Sequence, residues 1–307
     1  ELVMNIKPLS VPRSDLAIEL AQSLLKQENT CEKSSKTLPE GLSVHTKKHG
    51  SVEITCVRIT TPAVAQKLQK PRGRYITIQT PPLWNSLLDP QDEINAAADC
   101  IRELLPSHGS VLVAGLGNNQ ITPDALGPAV INRILATRHL KGELEKQTGL
   151  DTLRKTSAIA PGVMGQTGIE TGEILSALVN FIRPDAVIAV DALAAQDYSH
   201  LGKTIQISDS GISPGSGVQN SRKEISEKTM GIPVISIGVP TVIDGATLTA
   251  EFSQKPKEEI DPSARCAMVT PREVDRMIGH SAKFISLAIN KALYPELSLE
   301  EISFLCA

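Results

Sequence analysis

The chain has 307 residues, 41% of them hydrophobic and 21% charged, with a formal net charge of -3. That is enough apolar material for one large core. No Lys/Arg run or basic face is present to grip phosphates, no apolar run approaches the roughly 18 residues of a membrane helix, and the N-terminal stretch lacks a signal-peptide core, so a cytoplasmic protein with no direct hold on nucleic acid or membrane is expected.

Residues 16–27 place Leu16, Ile18, Leu20, Leu24 and Leu25 at overlapping apolar positions and predict a short amphipathic helix. Residues 28–72 are rich in Lys, Ser, Thr and Pro, and the alternating run Val52–Ile59 suits a half-exposed strand, so a small β-rich subdomain or insertion is expected there. Tyr75–Ile78 is a second candidate strand. Asp89–Leu105 predicts a helix, with Pro90 early and Ile94, Ala97, Ile101, Leu104 and Leu105 on one face. From residue 109 onward, short apolar runs at Val111–Val113, Ala186–Val190, Thr204–Ile207 and Val234–Ile237 alternate with turns and helical stretches. Near-continuous apolar strands between helices predict an α/β domain of three layers, a mostly parallel or mixed sheet with helices on both faces. Thr270-Pro271-Arg272-Glu273 reads as a capping box opening the last long helix, whose Val274, Met277, Ile278, Phe284, Ile285 and Ile289 point inward.

The five cysteines, Cys31, Cys56, Cys100, Cys266 and Cys306, are odd in number and scattered without a C-x-x-C pair, which favours idle thiols. His45 and His49 have an i,i+4 spacing but lie in polar, strand-like sequence without further ligands nearby. Neither a metal nor another cofactor is expected.

In sheets of this class, ligands bind beyond the carboxyl ends of the strands. The first such place is the turn Gly115-Leu116-Gly117-Asn118, followed by Thr122-Pro123-Asp124. It fails as a dinucleotide fingerprint, because Gln120 stands at the third glycine position and no acid ends a second strand about twenty residues on. Asp124 by itself reads as a dipole-complementing residue behind a Thr122 cap. Asp191 directly follows the Ala186–Val190 run, and a carboxylate at the end of a buried strand needs a partner or a function. If the two strands are neighbours, Asp124 and Asp191 meet across one crevice and share a proton, one activating water while the other protonates a scissile carbonyl. The glycine-rich loops 162–171 and 208–217 border the same rim, so the backbone at Gly115, Gly117, Asn118 and Gly165 is a candidate oxyanion support. Asp209 and Asp244 are weaker acid candidates in turn-like sequence, and no serine sits in a G-x-S-x-G elbow.

The segments Val111–Asn118, Thr122–Pro128, Thr137–Leu140, Pro161–Thr171, Val190–Ala195 and Pro214–Val218 together resemble the germination protease signature, in order and from about Arg13 to the C-terminal helix. The resemblance implies an aspartic-type endopeptidase with its two essential aspartates at Asp124 and Asp191, and a fold like that of hydrogenase-maturation endopeptidases. It implies substrates that are small acid-soluble spore proteins, cut early in germination, and a homotetramer of the forespore and spore core. It also implies a self-processing zymogen, with residues 1–15 as propeptide and 16–307 as a single α/β peptidase domain. The implied cleavage pattern is an acid, a large apolar residue and alanine; Ser14-Asp15-Leu16-Ala17 fits it, so Asp15 and Leu16 are expected to flank the processing cut, with Glu19-Leu20-Ala21 ranked second. The family pattern would place an arginine near Gln196 and a histidine near Ser213, where this chain differs. Two other readings are a metal-dependent maturation endopeptidase of the same fold and a non-enzymatic small-molecule or nucleotide-binding module.

Overall fold

The computed structural model describes residues 14–28, 38–50, 52–85, 90–140, 153–215, 223–254, 259–261, 263–264 and 267–306. Residues 1–13 of the expected propeptide 1–15 lie outside them, as do Cys31 and Cys266.

The first described element is α1 (Ala17–Glu28), followed by the hairpin β1 (Leu42–His49) and β2 (Val52–Ile59), α2 (Pro62–Leu68) and β3 (Gly73–Gln79). Thr61 caps α2, its hydroxyl accepting the Val64 N–H, with Pro62 at the position where a missing N–H costs nothing. Next come α3 (Gln91–Leu104), β4 (Val111–Gly115), a 3-10 turn at Thr122–Asp124, α4 (Leu126–Ile131) and β5 (Thr156–Ile159). The remainder is α5 (Met164–Thr167), α6 (Thr171–Ile182), β6 (Ala186–Ala195), β7 (Thr204–Ser208), α7 (Glu227–Met230), β8 (Val234–Asp244), α8 (Gly245–Ser253), β9 (Met268–Val269), α9 (Val274–Leu293) and α10 (Leu299–Leu305).

Among the described residues the strands form one nine-stranded sheet in the order β1-β2-β3-β7-β8-β6-β4-β5, with β9 added beside β8. Strands β8, β6, β4 and β5 run parallel to one another, and every other pairing is antiparallel. The sheet is therefore mixed, and Thr204–Ile207, expected among the parallel runs, enters antiparallel. The segment expected as a β-rich subdomain supplies β1, β2 and α2 to the edge of this continuous sheet.

Helices cover both faces, because alternate strand residues point to opposite sides. On one face Val111, Val113, Ile188, Val190, Ile235 and Ile237 pack with Ile101 of α3, Leu126 of α4 and Phe284, Ile285 and Ile289 of α9. On the other, Leu112, Ala114, Val187 and Ala189 meet Leu175 and Val179 of α6 and Met230 of α7. A third cluster joins Ala17, Leu20 and Ala21 of α1 to Val57, Ile59, Val64, Leu68 and Tyr75, so α1 covers the antiparallel end of the sheet.

The expected cap at Thr270 forms differently, and the start of α6 likewise lacks a side-chain cap. Thr270 donates its hydroxyl to the Thr241 carbonyl, and α9 starts four residues later at Val274. Thr167 bonds Val163 and Ile169 around its own turn, leaving Glu170 as a helix cap without a side-chain bond. In both places a nearby carbonyl outcompetes the local box, as hydroxyls readily allow. Among the described residues no helix is long and apolar enough to cross a membrane.

Candidate active site

The parallel strands lie in the order β5-β4-β6-β8, so the chain leaves β4 in one direction to form β5 and returns to the other side for β6. The crevice between the carboxyl ends of β4 and β6 is thus the topological switch point, where loops diverge and leave space. β4 and β6 pair from Val111 with Ala186 to Gly115 with Val190, and the Leu116 N–H still donates to the Val190 carbonyl at 2.7 Å. Asp191 is the next residue, and it is 5% exposed.

Asp191 does not end its strand, as the five-residue apolar run suggested. β6 continues through Ala192, Leu193, Ala194 and Ala195, paired only with β8 beyond this point. The physical effect on the site is the same, because β4 has already turned away and the flank of β6 at Asp191 faces the crevice. Gly238 stands opposite Asp191 on β8, where a Cβ would come within 2.8 Å of the Asp191 carbonyl oxygen.

Asp124 arrives from the β4 loop. Gly117 adopts φ +108°, open to glycine at little cost, and a Cβ there would strike the Asp124 carbonyl oxygen. The tight turn lets the Asn118 N–H donate to Asp124 Oδ2 at 2.7 Å. The Asn118 side-chain oxygen accepts the Gln120 N–H at 2.9 Å and Gln166 Nε2 at 2.8 Å, tying the loop after β4 to α5. From β8, Thr241 donates its hydroxyl to the Pro123 carbonyl at 2.7 Å. The expected Thr122 cap is replaced by a 3-10 turn in which Ile121 takes the cap position. At Gly115 and Gly127, a Cβ on either residue would run into the other segment's backbone, which explains two glycines where β4 ends and α4 begins.

Asp124 and Asp191 line one cavity of about 400 Å³, together with Gly117, Val163, Leu193 and Thr241. Asp15 lines the same cavity. A smaller cavity of about 110 Å³ meets it at Asp15, Leu193, Ile212 and Ser213. Leu16 is fully buried against Ile18, Leu193 and Ile212.

Of the expected backbone supports, Gly117 and Asn118 shape Asp124, Gly115 is the last pairing residue of β4, and Gly165 sits inside α5 with nothing within 4 Å of its Cβ position. Asp209 accepts from the Arg74 N–H and Nε, and Asp244 caps α8 by accepting the Thr247 N–H. His45 and His49 are exposed on edge strand β1, and among the described residues no three His, Cys, Asp or Glu side chains converge to hold a metal ion. Cys56, Cys100 and Cys306 are free thiols, and burial pushes the Cys100 thiol up to about 11.

The sequence reading missed three neighbours of the site. Lys70, just after α2, donates Nζ to the Asp15 carbonyl at 3.2 Å. Gln206 on β7 donates Nε2 to the same oxygen at 2.8 Å. Glu19 is buried, accepting the Gln196 and Asp197 N–H groups at 2.8 and 3.1 Å, His200 Nδ1 at 2.9 Å and the Ser14 hydroxyl. A Glu within an amphipathic helix was the one available signal, and three of its four partners lie about 180 positions away.

Residues 17–254 match the sequence profile of the germination protease peptidase family. The germination protease of Clostridium acetobutylicum is 39% identical, the alignment covering 95% of this chain and 98% of that protein. That of Caldanaerobacter subterraneus subsp. tengcongensis is 40% identical over 95% and 97%, and that of Priestia megaterium 42% identical over 86% and 74%. Among solved structures, a NiFe hydrogenase maturation protease, HycI from Thermococcus kodakarensis KOD1, aligns with a TM-score of 0.37 and 14% identity, over 62% of this chain and 98% of that one.

Proposed function

This chain belongs to the germination protease family of peptidases, and we propose that it is an aspartic-type endopeptidase whose paired carboxylates are Asp124 and Asp191. The observation that carries this reading is that the two aspartates, 67 positions apart in sequence, line one cavity at the switch point of the sheet. Like charges in a shared, partly desolvated site favour a state with one proton between them. The ionised carboxylate takes a proton from water as its oxygen adds to the scissile carbonyl carbon, and the protonated one gives its proton to the carbonyl oxygen. Collapse of the resulting gem-diol breaks the C–N bond, the amine leaves with a proton, and the pair returns to its one-proton state.

The substrates on this reading are the small acid-soluble proteins of the spore, degraded at germination within the forespore-derived core. The enzyme is a self-processing zymogen cut between Asp15 and Leu16, and a homotetramer. Support for self-processing is that Asp15 lies on the wall of the cavity holding the aspartates. Support for assembly is the exposure of Phe181, Phe252 and Phe304 on the isolated chain. Incubating the processed protein with a small acid-soluble spore protein and mapping the cuts by mass tests the reading. Cuts after acidic residues that persist in excess chelator are expected. Activity that vanishes with chelator and returns with added metal would instead favour a metal-dependent peptidase.

A further inference from the structure

Asp15 and Leu16 do not drape over the surface; they sit in a built seat. The Asp15 carbonyl oxygen accepts from both Lys70 Nζ and Gln206 Nε2, at 3.2 and 2.8 Å. The Ala194 N–H donates to Asp15 Oδ2 at 2.9 Å, and the Asp15 N–H donates to the Ala194 carbonyl at 3.3 Å. Gln206 Oε1 accepts the Ala17 N–H at 2.8 Å, so one side chain brackets the Asp15–Leu16 peptide from both ends.

Anchoring a main-chain carbonyl needs only an amide or hydroxyl, yet here an ammonium is placed among protein atoms. Burial lowers the Lys70 pKa, while Asp15 and Glu19 pull it back up. Asp15 is held to Ala194 by one backbone bond and one bond to its carboxylate, three residues beyond Asp191 on β6 and on the wall of the same cavity. Hydrolysis builds negative charge on the carbonyl oxygen, and preformed donors there are what the transition state needs. The strand-end amides are differently engaged, Leu116 with Val190 and Asn118 with Asp124.

We propose that Lys70, Gln206 and the Ala194 amide form the subsite that reads an acidic residue immediately before the scissile bond, with Leu193 and Ile212 receiving a large aliphatic residue after it, and that Asp15 and Leu16 fill this subsite in the uncut chain. The proposal rests on the peptidase reading above. Lys70 and Gln206 touch the reacting carbonyl, and Lys70 adds a preference for a carboxylate over a carboxamide side chain.

The test uses full-length protein that has been allowed to process its own N-terminus, two peptides differing only in Glu or Gln before the leucine of the cut bond, and a product peptide ending in that Glu. Wild type is expected to favour the Glu peptide in kcat/KM. Lys70→Met should cut the Glu peptide about tenfold or more slowly and abolish the preference, whereas Gln206→Leu should slow both peptides alike. Circular dichroism and thermal melting check folding, and Lys70→Gln, which keeps a donor without the charge, serves if Lys70→Met does not fold. A folded Lys70 variant that keeps the wild-type preference overturns the subsite while leaving the peptidase standing. Binding of the Glu-ended peptide that is lost in Lys70→Met, with neither peptide cut by wild type, upholds the subsite and overturns the peptidase reading.

Discussion

The Asn118 N–H reaches Asp124 Oδ2 at 2.7 Å because Gly117, immediately before it, turns the chain at φ +108°. Gly117→Ala should therefore displace Asp124: the new Cβ meets the Asp124 carbonyl, and alanine is strained at that φ. A loss of about 2–4 kcal/mol in urea unfolding, with peptidase activity falling further than stability accounts for, is expected. Gly165→Ala is the control. Its Cβ position is open and helical, so stability should stay level or rise by up to about 1 kcal/mol.

Replacing either carboxylate removes the proton exchange without removing the side chain. Asp124→Asn and Asp191→Asn should each lower kcat by about three orders of magnitude or more, with thermal melts within a few degrees of wild type. An active Asp191→Asn enzyme would assign that residue a structural part alone. Loss of activity together with loss of the cooperative melt would do the same.

The parallel core of the fold was readable because its strands are apolar runs with no polar face, and such runs announce burial on both sides. The strand ends followed from the same pattern, so Asp124 and Asp191 could be singled out, while the adjacency of β4 and β6 that puts them on one cavity came only with the strand order. What the pattern could not convey was register. Ala192–Ala195 is as apolar as the run before Asp191, and only the departure of β4 after Gly115 distinguishes the two halves of β6. Thr204–Ser208 alternates polar and apolar residues yet is buried along its whole length, so its place and its antiparallel pairing inside the sheet were hidden. Lys70 and Gln206 carried no local signal at all: a Lys after a helix and a Gln in a strand are ordinary surface choices, and their meeting at Asp15 spans 55 and 191 positions.

Lys70 also makes a pH-dependent contribution to stability. Its folded pKa is lowered by burial from the ordinary value of 10.5, so between the folded pKa and 10.5 the unfolded chain binds more protons than the native one. Stability from this group therefore rises with pH across that window, as the destabilising buried charge is shed. Tyr75 and Cys100, whose pKa values are raised by burial, act in the opposite sense in the alkaline range. The difference between wild type and Lys70→Met cancels them. That difference, from urea titrations at successive pH values, should shift in favour of wild type toward pH 10.5; a flat difference would mean the ammonium is not desolvated.

The structure also separates two processing cuts that the sequence pattern allowed. Peptidases take their substrates in extended form, and Asp15–Leu16 lies just before the first turn of α1, outside the helix. Glu19–Leu20 lies inside that helix, and the Glu19 carboxylate is held by Gln196, Asp197, His200 and Ser14. Cutting there would require unwinding α1 and exposing Leu20 and Ala21, which pack against β2, α2 and β3. Removing one partner of such a buried network costs about 3 kcal/mol, and truncating a buried leucine costs about as much, so the helical site stands well above the other in energy. A cut at Asp15–Leu16, by contrast, leaves Leu16 and α1 in the core. N-terminal sequencing after self-processing should therefore begin at Leu16, with no product beginning at Leu20, and an Asp124→Asn chain should keep its original N-terminus. Glu19→Gln loosens the network without changing length and should lower stability by about 2–3 kcal/mol, yet with no acid before Leu20 it should still give no product beginning there. A main product at Leu20 in wild type would show that α1 opens before the cut, reversing this order of stabilities.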